Sequence, residues 1–273
     1  MTHPNIIAYE NVENFDSFSK EQFEDYCNLK INDCSKHINF IKKNILNFRN
    51  DIEKSKICEI GSGNSKLLYA LEKNKLISSG IGYELSKSRV NFANKFGEFT
   101  KSKIIKNVDQ DFLLDKNPLN SPFDLIIAVD IVLQLISPIN IDQEEKALKW
   151  IRKNLKNDGY LILELWSLSN YIELIEKQNG IFRKWESYSA EDPWEFCLAE
   201  ISRMTNGDII WDKTFLKRNK ANERSFFRNI LRPYSKDQIS NLLKKYGFEV
   251  IKFFDFWETS DDSVEEEYIV LAK

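Results

Sequence analysis

Lys56-Ile57-Cys58-Glu59-Ile60-Gly61-Ser62-Gly63-Asn64-Ser65 is the stretch on which the reading of this chain turns. A short apolar run enters a glycine turn, and Leu67, Leu68 and Leu71 then recur at helical spacing. A strand that leaves a glycine turn as a helix gathers backbone N–H groups and a helix N-terminus at one spot. Working outward, residues 78–84 (SSGIGYE) form a second strand ending at Glu84. Ser86 or Ser88 then caps a helix through Val90, Phe92 and Ala93. Residues 102–108 (SKIIKNV) are a third strand. Residues 123–129 (FDLIIAV) are a continuous apolar run, as in a strand buried on both faces. A helix over residues 142–155 stops at Asn157-Asp158-Gly159, and residues 160–165 (YLILEL) are the fifth strand. Strands alternating with helices predict an α/β fold with a doubly wound, mostly parallel, seven-stranded sheet.

The flanks read differently. Residues 1–16 are polar. Residues 17–50 carry helical spacing, with a capping box from Ser19 to Gln22 and a second helix presenting Ile38, Ile41, Ile45 and Phe48. Residues 170–232 break the α/β rhythm. Asn206-Gly207 between two strand-like runs signals a hairpin, so two or three antiparallel strands are expected as an insert. From Ser235, with Gln238 completing a second capping box, a helix runs to Gly247 and two closing strands follow. The expected division is 1–50 as a helical cap, 51–168 as the α/β core, 169–233 as an antiparallel lid, and 234–273 as the completion of the core.

With 39 Lys and Arg against 42 Asp and Glu, the net charge of −3 argues against a general nucleic-acid binder. No apolar run reaches membrane-spanning length, since Asp130 interrupts the best candidate. The N-terminus lacks a basic start and an apolar signal core, which points to the cytoplasm. Four cysteines (Cys27, Cys34, Cys58, Cys197) without a CxxC pair, beside two histidines, read as reduced thiols and not as a metal site.

Glu84 lies about twenty residues beyond Gly63, at the tip of the next strand, where an acid grips the hydroxyls of a ribose. A dinucleotide site wants a small residue three positions after the second glycine, and Lys66 stands there instead. An S-adenosylmethionine site tolerates that and favours an acid before the first glycine, which Glu59 supplies. With these residues the chain resembles the class I S-adenosylmethionine-dependent methyltransferases of small-molecule type. Glu59 to Ser65 resemble the first motif, with Ser65 in place of a third glycine. Gln110-Asp111-Phe112 resemble the loop after the third strand, and Phe123-Asp124 through Asp130 and Leu135 the fourth-strand motif. Residues 157–160 and 234–256 resemble the turn into strand five and the last helix and strand.

The resemblance implies a Rossmann-like methyltransferase fold and S-adenosyl-L-methionine as cofactor. Glu59, Gly61, Gly63, Ser65, Glu84, Asp111, Phe112 and Asp130 would hold it: Glu84 at the ribose, Asp111 and Phe112 at the adenine, Asp130 toward methionine and substrate. The sulfonium carries the activated methyl, so alignment of the acceptor is the protein's main contribution. A base is needed only where the acceptor must lose a proton. The candidates are Glu164, His37 and Tyr234, with Asp192 and Glu195 behind them. Trp166, Trp194, Arg228 and Arg232 are expected on the acceptor. Arg228 and Arg232, four apart, would share a strand face and suit a phosphate or carboxylate.

The expectation is methyl transfer to O or N of a small, anionic or sugar-like acceptor, with no nucleic acid, membrane or metal, and with a homodimer left open. A nucleic-acid methyltransferase should carry Asn-Pro-Pro-aromatic where this chain reads AVDIVLQ, residues 128–134, and the paired glutamates of protein arginine methyltransferases are missing from that loop. The alternatives are a methyltransferase-like binding subunit without activity of its own, or a protein or RNA methyltransferase.

Overall fold

The computed structural model describes residues 3–7, 18–45, 55–115, 119, 122–190, 192, 194–218, 220–255, 257 and 267–273. Phe48, Phe256 and the boundary expected at residue 50 lie outside them.

The core sheet contains β1 (Lys56–Ile60), β2 (Ser79–Glu84), β3 (Ile105–Asp109), β4 (Phe123–Ala128), β5 (Leu155–Trp166), β10 (Val250–Asp255) and β11 (Glu267–Ala272). Their order is β10-β11-β5-β4-β1-β2-β3. Five strands run parallel, and β11 is antiparallel to β5 and to β10. The chain order reverses between β1 and β4, so ligands are expected where their carboxyl ends open a crevice. Every residue of β4 is buried, because helices cover both faces of the sheet. α2 (Lys20–Asn32), α3 (Ser35–Asn44), α4 (Lys66–Lys73) and α5 (Lys87–Thr100) pack on one side, with Phe40, Leu68 and Phe96 in the shared core. α7 (Gln143–Asn154) and α9 (Lys236–Lys245) pack on the other, through Leu148, Ile151 and Leu243. Both expected capping boxes are present, from Ser19 to Gln22 and from Ser235 to Gln238, and Ser86 is the cap of α5.

β5 starts earlier than its apolar run suggests. Asn157-Asp158-Gly159 lies inside it, beside an irregularity in the pairing with β4. A Cβ on Gly159 would stand 3.1 Å from the Asp124 carbonyl, so glycine serves close strand approach there.

The insert holds more strands than the two or three expected. α8 (Ser169–Lys177) precedes a four-stranded antiparallel sheet, β6 (Ile181–Ser187), β7 (Trp194–Arg203), β8 (Ile209–Lys217) and β9 (Lys220–Leu231). Asn206-Gly207 turns β7 into β8, with Gly207 at φ +91. Ile201, Ile209 and Trp211 bury one face of this sheet against Tyr171 and Ile175 of α8. A short α1 (Pro4–Ile7) in the polar N-terminal segment and α6 (Val132–Ile136) after β4 were not expected. α1 is pinned by Asn5. Its Nδ2 donates to the Leu135 and Ile230 carbonyls, both at 2.7 Å, and its Oδ1 accepts from Ile230 N–H at 2.7 Å.

Candidate active site

A cavity of about 440 Å3 opens at the carboxyl ends of β1, β2, β3 and β4. Its floor is the glycine loop. Gly61 and Ser62 N–H groups donate to the Tyr83 carbonyl, at 2.9 and 3.0 Å, which ties the loop to β2. The two glycines serve different ends. Gly61 has φ +68, and a Cβ there would stand 2.5 Å from Val132 Cγ2, so packing beneath the loop forbids a side chain. Gly63 has φ +55, but its nearest neighbour would be Arg89 Nη1 at 3.6 Å, so the space above it is open to a ligand.

Glu59, Gly61, Gly63, Glu84, Asp111, Phe112 and Asp130 all line this one cavity. Glu84 accepts from Gly63 N–H at 2.9 Å and from Ser86 N–H at 2.8 Å, locking strand end, loop and helix start together. Asp111 accepts from Leu113 N–H at 2.9 Å, which fixes the turn that carries Phe112. Ser65 is not on the cavity. It is fully buried with φ 58, and its hydroxyl donates to Asn107 Oδ1 at 2.7 Å, joining the loop to β3.

Glu59 is 2% exposed, and its Oε2 has no hydrogen-bond partner in the protein. Burial pushes its carboxyl up to about 8; Lys66 opposes that, while Asp130 and Glu84 add to it. Asp130 shows the opposite balance. Its side chain is open to the cavity, and although its enclosed setting disfavours charge, the cations Lys66, Arg89 and Lys36 hold it below the ordinary carboxylate range. Its backbone lies at φ +54, next to Ile131 at φ +58. Two consecutive side-chain-bearing residues in the left-handed region mark a strained turn.

Glu164 braces that turn. Its Oε2 accepts from Asp130 N–H at 2.7 Å and its Oε1 from Trp257 Nε1–H at 2.8 Å. Burial, then the Asp130 charge, raise its carboxyl to about 7. It sits behind the cavity wall and faces no ligand space. His37 is buried with its ring 4.4 Å from that of Trp257, and desolvation lowers it to about 3, so it is a neutral core imidazole. Tyr234 is buried too, held by Ser137 Oγ at 2.6 Å and by Glu144, and burial raises its hydroxyl far above the ordinary phenol value. Asp192 and Glu195 also lie off the cavity. None of the five side chains considered as bases lines it.

On the acceptor side the structure brings only Trp166 to the cavity. Its place is set by the fully buried Gln134, whose Oε1 accepts from Trp166 N–H at 2.8 Å and whose Nε2 donates to the Trp166 and Arg232 carbonyls, both at 3.0 Å. Trp194 packs against Phe215 at 5.5 Å, off the cavity. Arg228 forms a two-pronged pair with Asp212, both contacts at 2.7 Å, and Arg232 pairs with Asp208 at 3.1 and 3.3 Å. β9 ends at Leu231, so the two arginines do not share a strand face. Sequence reasoning missed Asn5, Ile6, Tyr26, Lys30, Arg89 and Lys213, which also line the cavity. Arg89 carried a signal, one helical turn past the cap at Ser86. Lys213 and the α1 residues depended on tertiary placement.

A seven-stranded sheet in this order, opening on a cavity with a glycine loop and strand-end acids, is the architecture of a methyltransferase. Residues 34–252 match the sequence model described as a methyltransferase domain, and the chain belongs to that family. By class it is an S-adenosylmethionine-dependent methyltransferase. No curated protein matches it by sequence. Among solved structures it is similar to an S-adenosylmethionine-dependent methyltransferase from Clostridium acetobutylicum, with 18% identity, 97% of this chain and 95% of that one covered, and a TM-score of 0.68. It is also similar to CalS10, an amino pentose methyltransferase from Micromonospora echinaspora (13% identity, 87% and 91% covered, TM-score 0.61). A third is DesVI from Streptomyces venezuelae (12% identity, 93% and 98% covered, TM-score 0.59).

Proposed function

We propose that this methyltransferase acts on an oxygen or nitrogen of a small, sugar-like acceptor, held beneath the antiparallel lid. The observation that carries the reading is the buried, unpartnered Glu59 Oε2 in a cavity that Glu84 and Asp111 line as well. A buried polar atom without a partner is costly, and a cationic donor on the ligand satisfies it. The cavity falls within the size range of small-molecule sites, about 300–1,000 Å3.

In this reading Gly63 gives the cofactor room against the backbone, Glu59 faces its ammonium, Glu84 its ribose hydroxyls, and Asp111 with Phe112 its adenine. When bound, S-adenosylmethionine supplies a methyl group activated on a sulfonium. The chain's own work is placement and water exclusion. Glu164 braces the Asp130–Ile131 turn from behind, Gln134 sets Trp166, and Asn5 pins α1 as part of the roof. With Glu164, His37 and Tyr234 all behind the wall, the proposed catalysis leans on alignment and not on a base from these three. The sugar-like acceptor is supported by the amino pentose methyltransferase among the similar structures and by a partly enclosed cavity of small-molecule size.

The test is calorimetric titration with S-adenosylmethionine, followed by a screen of amino and hydroxy sugars for production of S-adenosylhomocysteine. Binding without turnover on any small acceptor, together with turnover on a protein or RNA substrate, overturns the acceptor assignment.

A further inference from the structure

Most cations of the lid sheet are engaged by acids. Arg183 pairs with Glu200, Lys184 with Glu186, Arg203 with Glu176, Lys217 with Glu223, and Arg228 and Arg232 with Asp212 and Asp208. Lys213 differs. It lines the cavity, and among the described residues no carboxylate forms an ion pair with it. The register explains why. Its cross-strand neighbours are Ala199 and Phe227, whereas Arg228 stands opposite Asp212 and Arg183 opposite Glu200.

The Lys213 ammonium lies 5.2 Å from the ring centroid of Trp211. Trp211 is buried, 5.3 Å from Trp166 and 5.0 Å from Tyr171. The ammonium therefore rests over a fixed aromatic base beside Trp166, the acceptor-side wall. The cations that act on Asp130 are Lys66, Arg89 and Lys36, from the helical side of the core, while Lys213 comes from β8 in the lid.

We infer that Lys213 anchors an anionic group, phosphate or carboxylate, carried by the acceptor at a distance from the methylated atom. An unpaired ammonium at the wall of a partly enclosed cavity gives a charge-assisted contact to such a group. The inference rests on the small-acceptor reading above and gives it a chemical class.

The probes are pyrophosphate and malonate, titrated at low salt into the protein saturated with S-adenosylhomocysteine. Wild type is expected to bind at least one of them saturably, and the tighter of the two tells phosphate from carboxylate. Lys213→Met should weaken that binding at least tenfold, and Lys213→Arg should restore it to within threefold of wild type. Arg224→Ala should leave it unchanged, since Arg224 is exposed and off the cavity. Affinity for S-adenosylhomocysteine and the melting temperature should stay at wild-type values throughout. The inference is overturned if wild type binds neither probe, if Lys213→Met binds as wild type does, or if Lys213→Met loses S-adenosylhomocysteine affinity, which would place the ammonium on the cofactor. Failure of wild type to bind S-adenosylhomocysteine overturns the methyltransferase assignment itself, a separate result.

Discussion

The two sheets of this molecule handle charge in opposite ways. At the carboxyl ends of the central core strands, Glu59 and Glu84 have no cross-strand neighbour of opposite sign, and charge is met sideways at the far end, where Asp124 of β4 pairs with Lys156 of β5 at 2.7 Å. In the lid, burial alternates along β7, and charged residues on the open face meet partners directly across the ladder, as Asp212 meets Arg228. A strand's carboxyl end presents its charge to a ligand, whereas a strand middle neutralises it sideways. Function therefore concentrates at the core's edge, and in the lid only where the register leaves a charge opposite apolar residues.

Substitutions in the glycine loop should break the core side of this contrast most severely. Gly61→Val meets the Val132 side chain and a φ of +68 together. Overpacking costs about 1–3 kcal/mol and the left-handed conformation about 1–2 more. Loss of both cofactor binding and several degrees of melting temperature is expected. Gly63→Ala meets only the backbone term, so its melting temperature should fall less. If the two variants melt alike, the loop does not pack as described.

Glu84→Ala is next. It removes the acceptor for the Gly63 and Ser86 N–H groups as well as the proposed ribose contact. A loss of about 1–3 kcal/mol in S-adenosylmethionine binding is expected. Calorimetry checks it, and an unchanged dissociation constant removes Glu84 from the ribose.

A pH series tests the buried acid. Glu59 holds its proton up to about 8 in the folded chain, against an ordinary value of 4.5 unfolded. Between these values the folded state binds more protons, so the group's contribution falls as pH rises through that window. Thermal melts of the ligand-free protein at pH 5 and pH 9 should show wild type losing ground against Glu59→Gln at the higher pH. A gap between the two proteins that stays constant from pH 5 to 9 would falsify the burial of an unpartnered carboxylate.

The core was legible because burial on both faces leaves an unmistakable apolar run, as in residues 123–128, and because Gly61 to Glu84 is a local pattern. The lid was legible only at Asn206-Gly207, where turn chemistry is local too. Its outer strand β6 is short and at most half-buried, with apolar and charged residues mixed on both faces, and the two or three strands expected fall short of the four found. Trp166 was placed on the cavity side correctly, and the lid cations were not legible for a physical reason. Whether Arg228 or Lys213 faces a ligand depends on the residue across the ladder, and register is a property of the pairing. Glu164 was read as a candidate base, and its direction, away from the cavity and onto Asp130 N–H and Trp257, required the tertiary structure.

The smallest effects are expected at the two lid arginines, and they sharpen the contrast within the lid itself. Arg228 is about half exposed and Asp212 partly so, and an exposed pair of this kind contributes about 0–1 kcal/mol even with two-pronged geometry. Arg232 is less exposed, and its partner Asp208 is 4% exposed, so its removal leaves a buried carboxylate supported mainly by Asn206 Nδ2 at 2.8 Å. Arg232→Ala should therefore lower the melting temperature more than Arg228→Ala. Neither should change S-adenosylmethionine affinity, and once an acceptor is in hand, Arg228→Ala should leave its KM unchanged. A raised acceptor KM in Arg228→Ala would show that Asp212 releases this arginine to the substrate, and that the lid does not neutralise its charges across the ladder.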